Sequence, residues 1–341
     1  MKAMVLKQIT SLAENRAPLE LVEMPIPDPK EHEILLKVSV CGVCHTELDE
    51  IEGRTVPSLF PIIPGHQVVG RVVKSGDGVR WKTGARVGIA WIHSACGVCD
   101  FCKSGMENLC DDFKATGRDA HGGYAEYTTV HEKFAYPIPE SLSDAEAAPL
   151  LCAGAIGYRS LRLAVLHDGN NLGLTGFGAS AHLVLMMAKR LYPNSKVFVF
   201  SRTEGERKFA QELGAVWAGS TEELSPEKLH AIIDTTPAWK PVVTAMRNLQ
   251  KGGRLVINAI RKEEGDKEAL LKLDYSRDLW MEKEIKSVAN ITRKDVEDFL
   301  KLAAELPIRP EVQEYALDDA NMALVELKER KVRGAKVLRI R

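Results

Sequence analysis

Four cysteines fall within fifteen residues, Cys96, Cys99, Cys102 and Cys110, in the spacing C-x2-C-x2-C-x7-C. No other feature restricts the fold so tightly. Closely spaced thiolates let one loop wrap a tetrahedral ion. Gly97 and Gly105 supply the turns such a loop needs. The chain holds seven cysteines, the others being Cys41, Cys44 and Cys152. An odd count with clustering favours metal over a disulfide framework. An iron–sulfur cluster is the competing reading, but the run lacks the Cys-Pro ending of ferredoxin-like sequences. We therefore expect Zn²⁺. With all four positions filled by protein, the site would be closed and structural.

The rest of the composition narrows the setting. A length of 341 residues suits two domains, and 45% hydrophobic residues suffice for two cores. A net charge of −1, with both signs intermixed, gives no field for nucleic acid or anionic membrane. The apolar start, Met1 to Leu6, is broken at Lys7 and has no signal-peptide core. Runs long enough to span a bilayer are also missing from the sequence. The expectation is a soluble, cytoplasmic protein.

Residues 1 to about 150 read as β-rich. Strand-like runs at Ile34–Val40, Val68–Lys74, Arg86–Ile89 and Ala125–Val130 are separated by Gly, Pro and Asp. The pattern turns helical from Ser143 to Val165. Strands and helices then alternate: strand Leu172–Thr175, helix Ala179–Leu191, strand Lys196–Phe200, helix Glu204–Leu213, strand Ala231–Asp234, helix Val242–Leu249, strand Arg254–Asn258. Such repeats imply a parallel, doubly wound sheet. A tail follows, with helix Lys294–Leu306, a strand, helix Leu317–Glu329 and a last strand near Lys336–Ile340. It is too small to stand alone and should pack on the first domain.

A second ligand set is dispersed. Cys44, His66 and Cys152 are each unremarkable alone, since a lone Cys is usually a small hydrophobe. Together they offer three donors and leave zinc's fourth position for water or substrate. A zinc open in this way polarises an alcohol oxygen.

Six motifs in order carry a resemblance: GVCHTELD at 42–49, PGHQVVG at 64–70, CGVCDFCKSGMENLC at 96–110, GGYAEY at 122–127, APLLCAG at 148–154 and GFGASAH at 176–182. Over essentially its full length the chain resembles the zinc-dependent alcohol dehydrogenases of the medium-chain dehydrogenase/reductase family. The closest flavour is the bacterial and cyanobacterial NADP-preferring branch. The resemblance implies an α/β protein with a β-rich GroES-like catalytic domain, residues 1–153 and 291–341, and a Rossmann domain with a doubly wound parallel sheet, residues 154–290. It implies two Zn²⁺ per chain, one catalytic on Cys44, His66 and Cys152, and one structural on Cys96, Cys99, Cys102 and Cys110. Thr46 matches the hydroxyl that relays the substrate proton. Glu47 stands where the family usually has Asp and would orient His66. His45 matches a position near the cofactor pyrophosphate, and Trp91 a substrate-pocket aromatic, its plain alternative being a core Trp. A bulky Trp91 suggests modest or flat primary alcohols. Two positions depart from the pattern. Gln67 replaces a Glu and cannot supply its charge. Asp49 replaces a His that ends the relay, and an Asp of ordinary pKa is a poor base at neutral pH. Relatives of this length pair through their cofactor domains, implying a homotetramer or homodimer.

The nucleotide loop reads Gly176-Phe177-Gly178-Ala179-Ser180-Ala181, after a strand and before a helix. The first Gly makes the turn, the second admits the pyrophosphate, and the small third residue lets helix and strand pack. The helix start faces the phosphate charge. An NAD enzyme carries an acid at the end of the next strand. Here Ser201 and Arg202 follow Phe200, with Arg207 in the next helix. Ser201 can hydrogen-bond a 2′-phosphate and Arg202 can pair with it, which points to NADP(H) in preference to NAD(H). The expected activity is hydride transfer between NADP(H) and a primary alcohol or aldehyde. A zinc-free quinone or enoyl reductase would typically lack both metal sets. A non-catalytic zinc-binding scaffold could lose Thr46 or a ligand without harm. Cys41 reads as a buried structural thiol rather than a redox switch.

Overall fold

The computed structural model describes residues 1–329 and 333–340. Two compact units result, Met1–Ala155 with Ile291–Arg341, and Ile156–Asn290. In the first unit a seven-stranded sheet is organised around the strand Glu33–Val43. Ile34, Leu36, Val38 and Val40 of this strand are 2% exposed or less, whereas Lys37 is exposed. That period of two faces one side to the core. The strand pairs antiparallel with Val68–Ser75, with Tyr127–His131 and with the late strand Ala335–Arg339. Its end, Val43, delivers Cys44 to the start of the helix His45–Ile51.

The second unit is a six-stranded sheet, parallel throughout. Its order is Trp217–Gly219, Val197–Phe200, Leu172–Thr175, Leu229–Asp234, Leu249–Ile257, Glu284–Ser287. Numbered along the chain this is 3-2-1-4-5-6, the Rossmann order, which reverses direction beside the first strand. Leu172–Thr175 and Val197–Phe200 are wholly buried, as strands covered on both faces must be.

The structure departs from the sequence reading in places. The helix expected over Val242–Leu249 runs from Lys240 to Ala245. The Leu229 N–H donates to the Asn248 carbonyl at 2.9 Å, and Leu249 pairs with Leu229. The sheet thus claims Leu249 as the first residue of a strand reaching Ile257, and Gly252 and Gly253 lie inside that strand. The helical stretch after Ser143 is three pieces: an α-helix Asp144–Pro149, a π turn Leu150–Gly154 and an α-helix Ala155–Ala164. Strands at Trp217–Gly219 and Glu284–Ser287 were not anticipated.

Gly122 and Gly123 pin the segment that carries His66. Their N–H groups donate to the carbonyls of Ile63 and Gly65 at 2.7 and 2.9 Å. A Cβ on Gly122 would run into the carbonyl oxygens of Gly65 and Pro64, which cannot move aside as a flexible side chain can. We expect Gly122→Ala to lower unfolding stability by about 2–3 kcal/mol. Urea denaturation followed by circular dichroism would show it, and an unchanged midpoint would contradict this packing account.

Candidate active site

Cys44 is the N-cap of the helix His45–Ile51, in extended conformation (φ −129°, ψ 163°). Glu47, the third helical residue, turns back and accepts the Cys44 N–H at 2.7 Å through Oε2. This is the return half of a capping box, and it places an acid in the first turn, where the helix dipole favours it. The other oxygen, Oε1, lies 2.6 Å from His66 Nδ1. Glu47 and His66 are 0% and 1% exposed. With Nδ1 engaged, Nε2 is the ring nitrogen open to a metal. Cys152 arrives from the π turn, a geometry common at functional sites. The donor atoms of Cys44, His66 and Cys152 all lie within 4.8 Å of one another. Thr46 Oγ1 is 3.6 Å from Cys44 Sγ. The Cys44 thiol is held well below its ordinary value, first by the hydrogen bond from Cys152. Cys152 is pushed well up by the same bond and by burial, so the pair shares a proton. Burial disfavours a charged His66, but Glu47 and then Cys44 outweigh it and raise its pKa. Two sulfurs and one imidazole nitrogen, converging around buried negative charge, fit a zinc ion with one position left open.

The four-cysteine loop also converges, with its sulfurs within 4.8 Å of one another. Cys96 Sγ accepts the Cys99 N–H, and Cys99 Sγ accepts the Cys102 N–H, each at 3.4 Å. Gly97 and Gly105 take φ of 75° and 71°, where a side chain would be strained. Four donors close this set.

The second unit contributes the glycine turn. Gly176 has φ 80°, and a Cβ there would stand 2.8 Å from Thr235 Oγ1. Its N–H donates to the Phe200 carbonyl at 2.8 Å. Gly178 caps the thirteen-residue helix Ala179–Leu191, and a Cβ on it would meet open space. That opening, at a helix start, is a cradle of the kind a pyrophosphate fills. Ala181 is fully buried where the helix packs on the sheet. Phe177 packs edge-on to Phe209 with ring centroids 5.6 Å apart, and Ser180 Oγ accepts from Asn258 Nδ2 at 3.3 Å. Ser201 is buried, Arg202 exposed and Arg207 half-buried.

Comparison with known proteins settles the relationship. Residues 30–140 match the family described as alcohol dehydrogenase GroES-like domain. The chain is 41% identical over 329 residues to the probable alcohol dehydrogenase AdhA of Mycobacterium tuberculosis, covering 95% of this chain and 93% of that protein. The chain belongs to the medium-chain alcohol dehydrogenase family. An alcohol dehydrogenase of Geobacillus stearothermophilus is 32% identical over 338 residues, covering 96% and 97% of the two chains. Among solved structures, a cinnamyl alcohol dehydrogenase from Sorghum bicolor superposes with a TM-score of 0.84 at 26% identity, covering 99% and 97%. The GroES-like and Rossmann-like units are the fold of this family.

Other site residues take individual positions in this family member. Trp91 is buried, edge-on to His66 at 5.1 Å between centroids, and Arg118 lies over its ring at 5.5 Å. Asp49 is held by Arg54, whose Nε donates to Oδ1 at 2.6 Å. Gln67 is buried against Gly42, where a Cβ would stand 2.7 Å from its Oε1. His45 is exposed. Sequence reasoning missed two residues. Glu107, inside the cysteine loop, accepts the Arg293 N–H at 2.7 Å and Nε at 3.0 Å, tying the loop to the helix Arg293–Glu305. Glu50 is 1% exposed, and neither carboxylate oxygen has a hydrogen-bond partner among the described residues. It lies one turn beyond Glu47 on the same helix face, a spacing that was legible.

Burial, and then the Glu47 charge, push the Glu50 acid well above the carboxylate range. The folded chain therefore holds a proton that the unfolded chain releases above about pH 4.3. Its stabilising effect is complete below that pH and is lost as pH rises through the folded pKa. In chelator, we expect Glu50→Gln to melt higher than the parent at pH 8, with the gap shrinking at pH 5. Parallel melting curves that do not converge toward low pH would refute this account of Glu50.

Proposed function

We propose that the chain is a zinc-dependent alcohol dehydrogenase, acting as an NADPH-dependent reductase of aldehydes and, in reverse, on primary alcohols. The observation that carries this reading is the convergence of Cys44, His66 and Cys152 beside the Thr46 hydroxyl. Bound at this set, zinc supplies Lewis-acid polarisation of the substrate oxygen, and the nicotinamide supplies the hydride. Cys44, His66 and Cys152 hold the ion with three donors, so substrate has a place to enter. Glu47 keeps His66 in the tautomer that presents Nε2. Thr46 gives a proton to the oxygen as the carbonyl becomes an alcohol, a task suited to a group that both donates and accepts. Arg54 occupies Asp49. The proton that refills Thr46 accordingly comes by the exposed neighbour His45 or by water. Cys96, Cys99, Cys102 and Cys110 hold a structural zinc. Gly176 to Ala181 receive the pyrophosphate, and Arg202 the 2′-phosphate. Trp91, buried against His66, supports compact substrates. A cytoplasmic setting belongs to this reading. No helix among the described residues is long and apolar enough to cross a membrane.

Thr46→Ala is expected to lower kcat for aldehyde reduction by about 10²–10⁴-fold, with Thr46→Ser retaining most of it. Cys44→Ala should lose turnover and one of two bound zinc ions. NADPH oxidation with metal analysis reads both, and full activity in Cys44→Ala would sink the mechanism.

A homo-oligomer, pairing through the second unit, is part of the same reading. Glu284–Ser287 is the outermost strand of its sheet among the described residues, and all four of its residues are exposed. Tyr275, Trp280 and Ile285 are 64%, 55% and 42% exposed nearby in the chain. Two copies meeting antiparallel about Ile285 would set Glu284 of each against Lys286 of the other. Light scattering should find a dimer or tetramer, with Ile285→Lys shifted to smaller species. A monomeric parent protein would discard the proposal.

A further inference from the structure

The strand Val197–Phe200 ends without the acid that binds a ribose 2′-hydroxyl, yet a carboxylate reaches the same place from the following helix. Ser201, 1% exposed, follows Phe200, whose carbonyl holds the glycine turn through the Gly176 N–H at 2.8 Å. The Ser201 hydroxyl donates to Glu206 Oε2. Glu206 is fixed there by the start of its helix, where its own N–H donates to the Thr203 side chain at 3.2 Å. Arg207 braces the turn, with Nη1 donating to the carbonyls of Ser201 and Arg202 at 2.9 and 3.1 Å. The Arg202 side chain is exposed and makes no hydrogen bond among the described residues.

A serine hydroxyl has one proton to give. Given to Glu206, it leaves Ser201 only lone pairs to offer a ligand. A ribose 2′-hydroxyl can donate to those lone pairs or to the carboxylate itself. A 2′-phosphate carries only acceptor oxygens and negative charge, so it meets two acceptors and a like charge. Arg202 favours it and Glu206 opposes it.

We propose that Glu206 sets cofactor choice: its carboxylate, engaged by Ser201 at the end of the strand Val197–Phe200, receives the 2′-hydroxyl of NAD(H) and weakens the hold of Arg202 on the 2′-phosphate of NADP(H). The inference rests on the reading of Gly176–Ala181 and Ser201–Arg202 as the nucleotide site. It lets this chain accept NAD(H) beside NADP(H), with Glu206 as the counterweight to Arg202.

The test is calorimetric binding of 2′,5′-ADP and 5′-AMP to the full-length, zinc-loaded protein and to its Glu206→Gln and Arg202→Ala variants. Neither probe reacts, so turnover plays no part in the readout. Glu206→Gln keeps the size of the side chain and removes the charge. It should tighten 2′,5′-ADP about tenfold and loosen 5′-AMP about fivefold, as removal of one like charge and one charged acceptor requires. Equal shifts for both probes, or none, would overturn the proposal and leave Glu206 a bracing residue of the turn. Arg202→Ala reports separately on the phosphate reading. If it leaves 2′,5′-ADP binding unchanged while Glu206→Gln moves the ratio, Glu206 stands as the selector and the role given to Arg202 falls.

Discussion

One carboxylate holds the candidate metal site together. Glu47 accepts the Cys44 N–H at 2.7 Å and lies 2.6 Å from His66 Nδ1, wholly out of solvent. The two residues it joins flank different strands, Cys44 just after Glu33–Val43 and His66 just before Val68–Ser75. The sheet brings them near, since Cys41 pairs with Val68 across the ladder. A ladder sets position to within a residue. A buried, doubly engaged carboxylate fixes orientation far more finely, because an unpaired oxygen there would cost several kcal/mol. Cys152 needs a different device, a π turn that re-aims one side chain inside an otherwise continuous helical stretch.

The glycine turn of the second unit depends on missing atoms as well as on charge. Gly176 is required because Thr235 approaches from just beyond the strand Leu229–Asp234, and Thr235 is itself tied to the Thr175 carbonyl at 3.0 Å. Below this contact, Lys262 reaches the buried Asp234 and also donates to the Thr236 and Ala238 carbonyls at 2.7 and 3.1 Å. The loop under the glycine turn is thus pinned by a charge outside water, and the turn inherits its rigidity.

Much of this was legible in the chain. The cysteine spacing, the glycine run and the alternation after Leu172 each follow from local rules, because each is a short segment whose meaning lies in its own spacing. What stayed hidden depends on partners distant in sequence or unusual in type. Leu249 joins a strand because Leu229 and Asn248 meet across the sheet. Glu284–Ser287 is short and fully exposed, so neither alternation nor an apolar run marks it. Glu50 reads as a solvated charge until the fold buries it. Ser201 reads as a free hydroxyl until the turn into the next helix swings Glu206 onto it.

The late strand Ala335–Arg339 gives the fold an order of manufacture. It lies beside Glu33–Val43, with Lys336 opposite Val43, the residue before Cys44. The second unit, Ile156–Asn290, is one continuous stretch and is complete once Asn290 has emerged from the ribosome. The first unit begins sooner but waits for Ala335–Arg339 to seat a strand next to Glu33–Val43. A chain stalled or clipped after Asn290 would carry a finished Rossmann-like unit and a sheet with that strand's place open. Biosynthesis therefore finishes the Rossmann-like fold before the sheet that leads into Cys44.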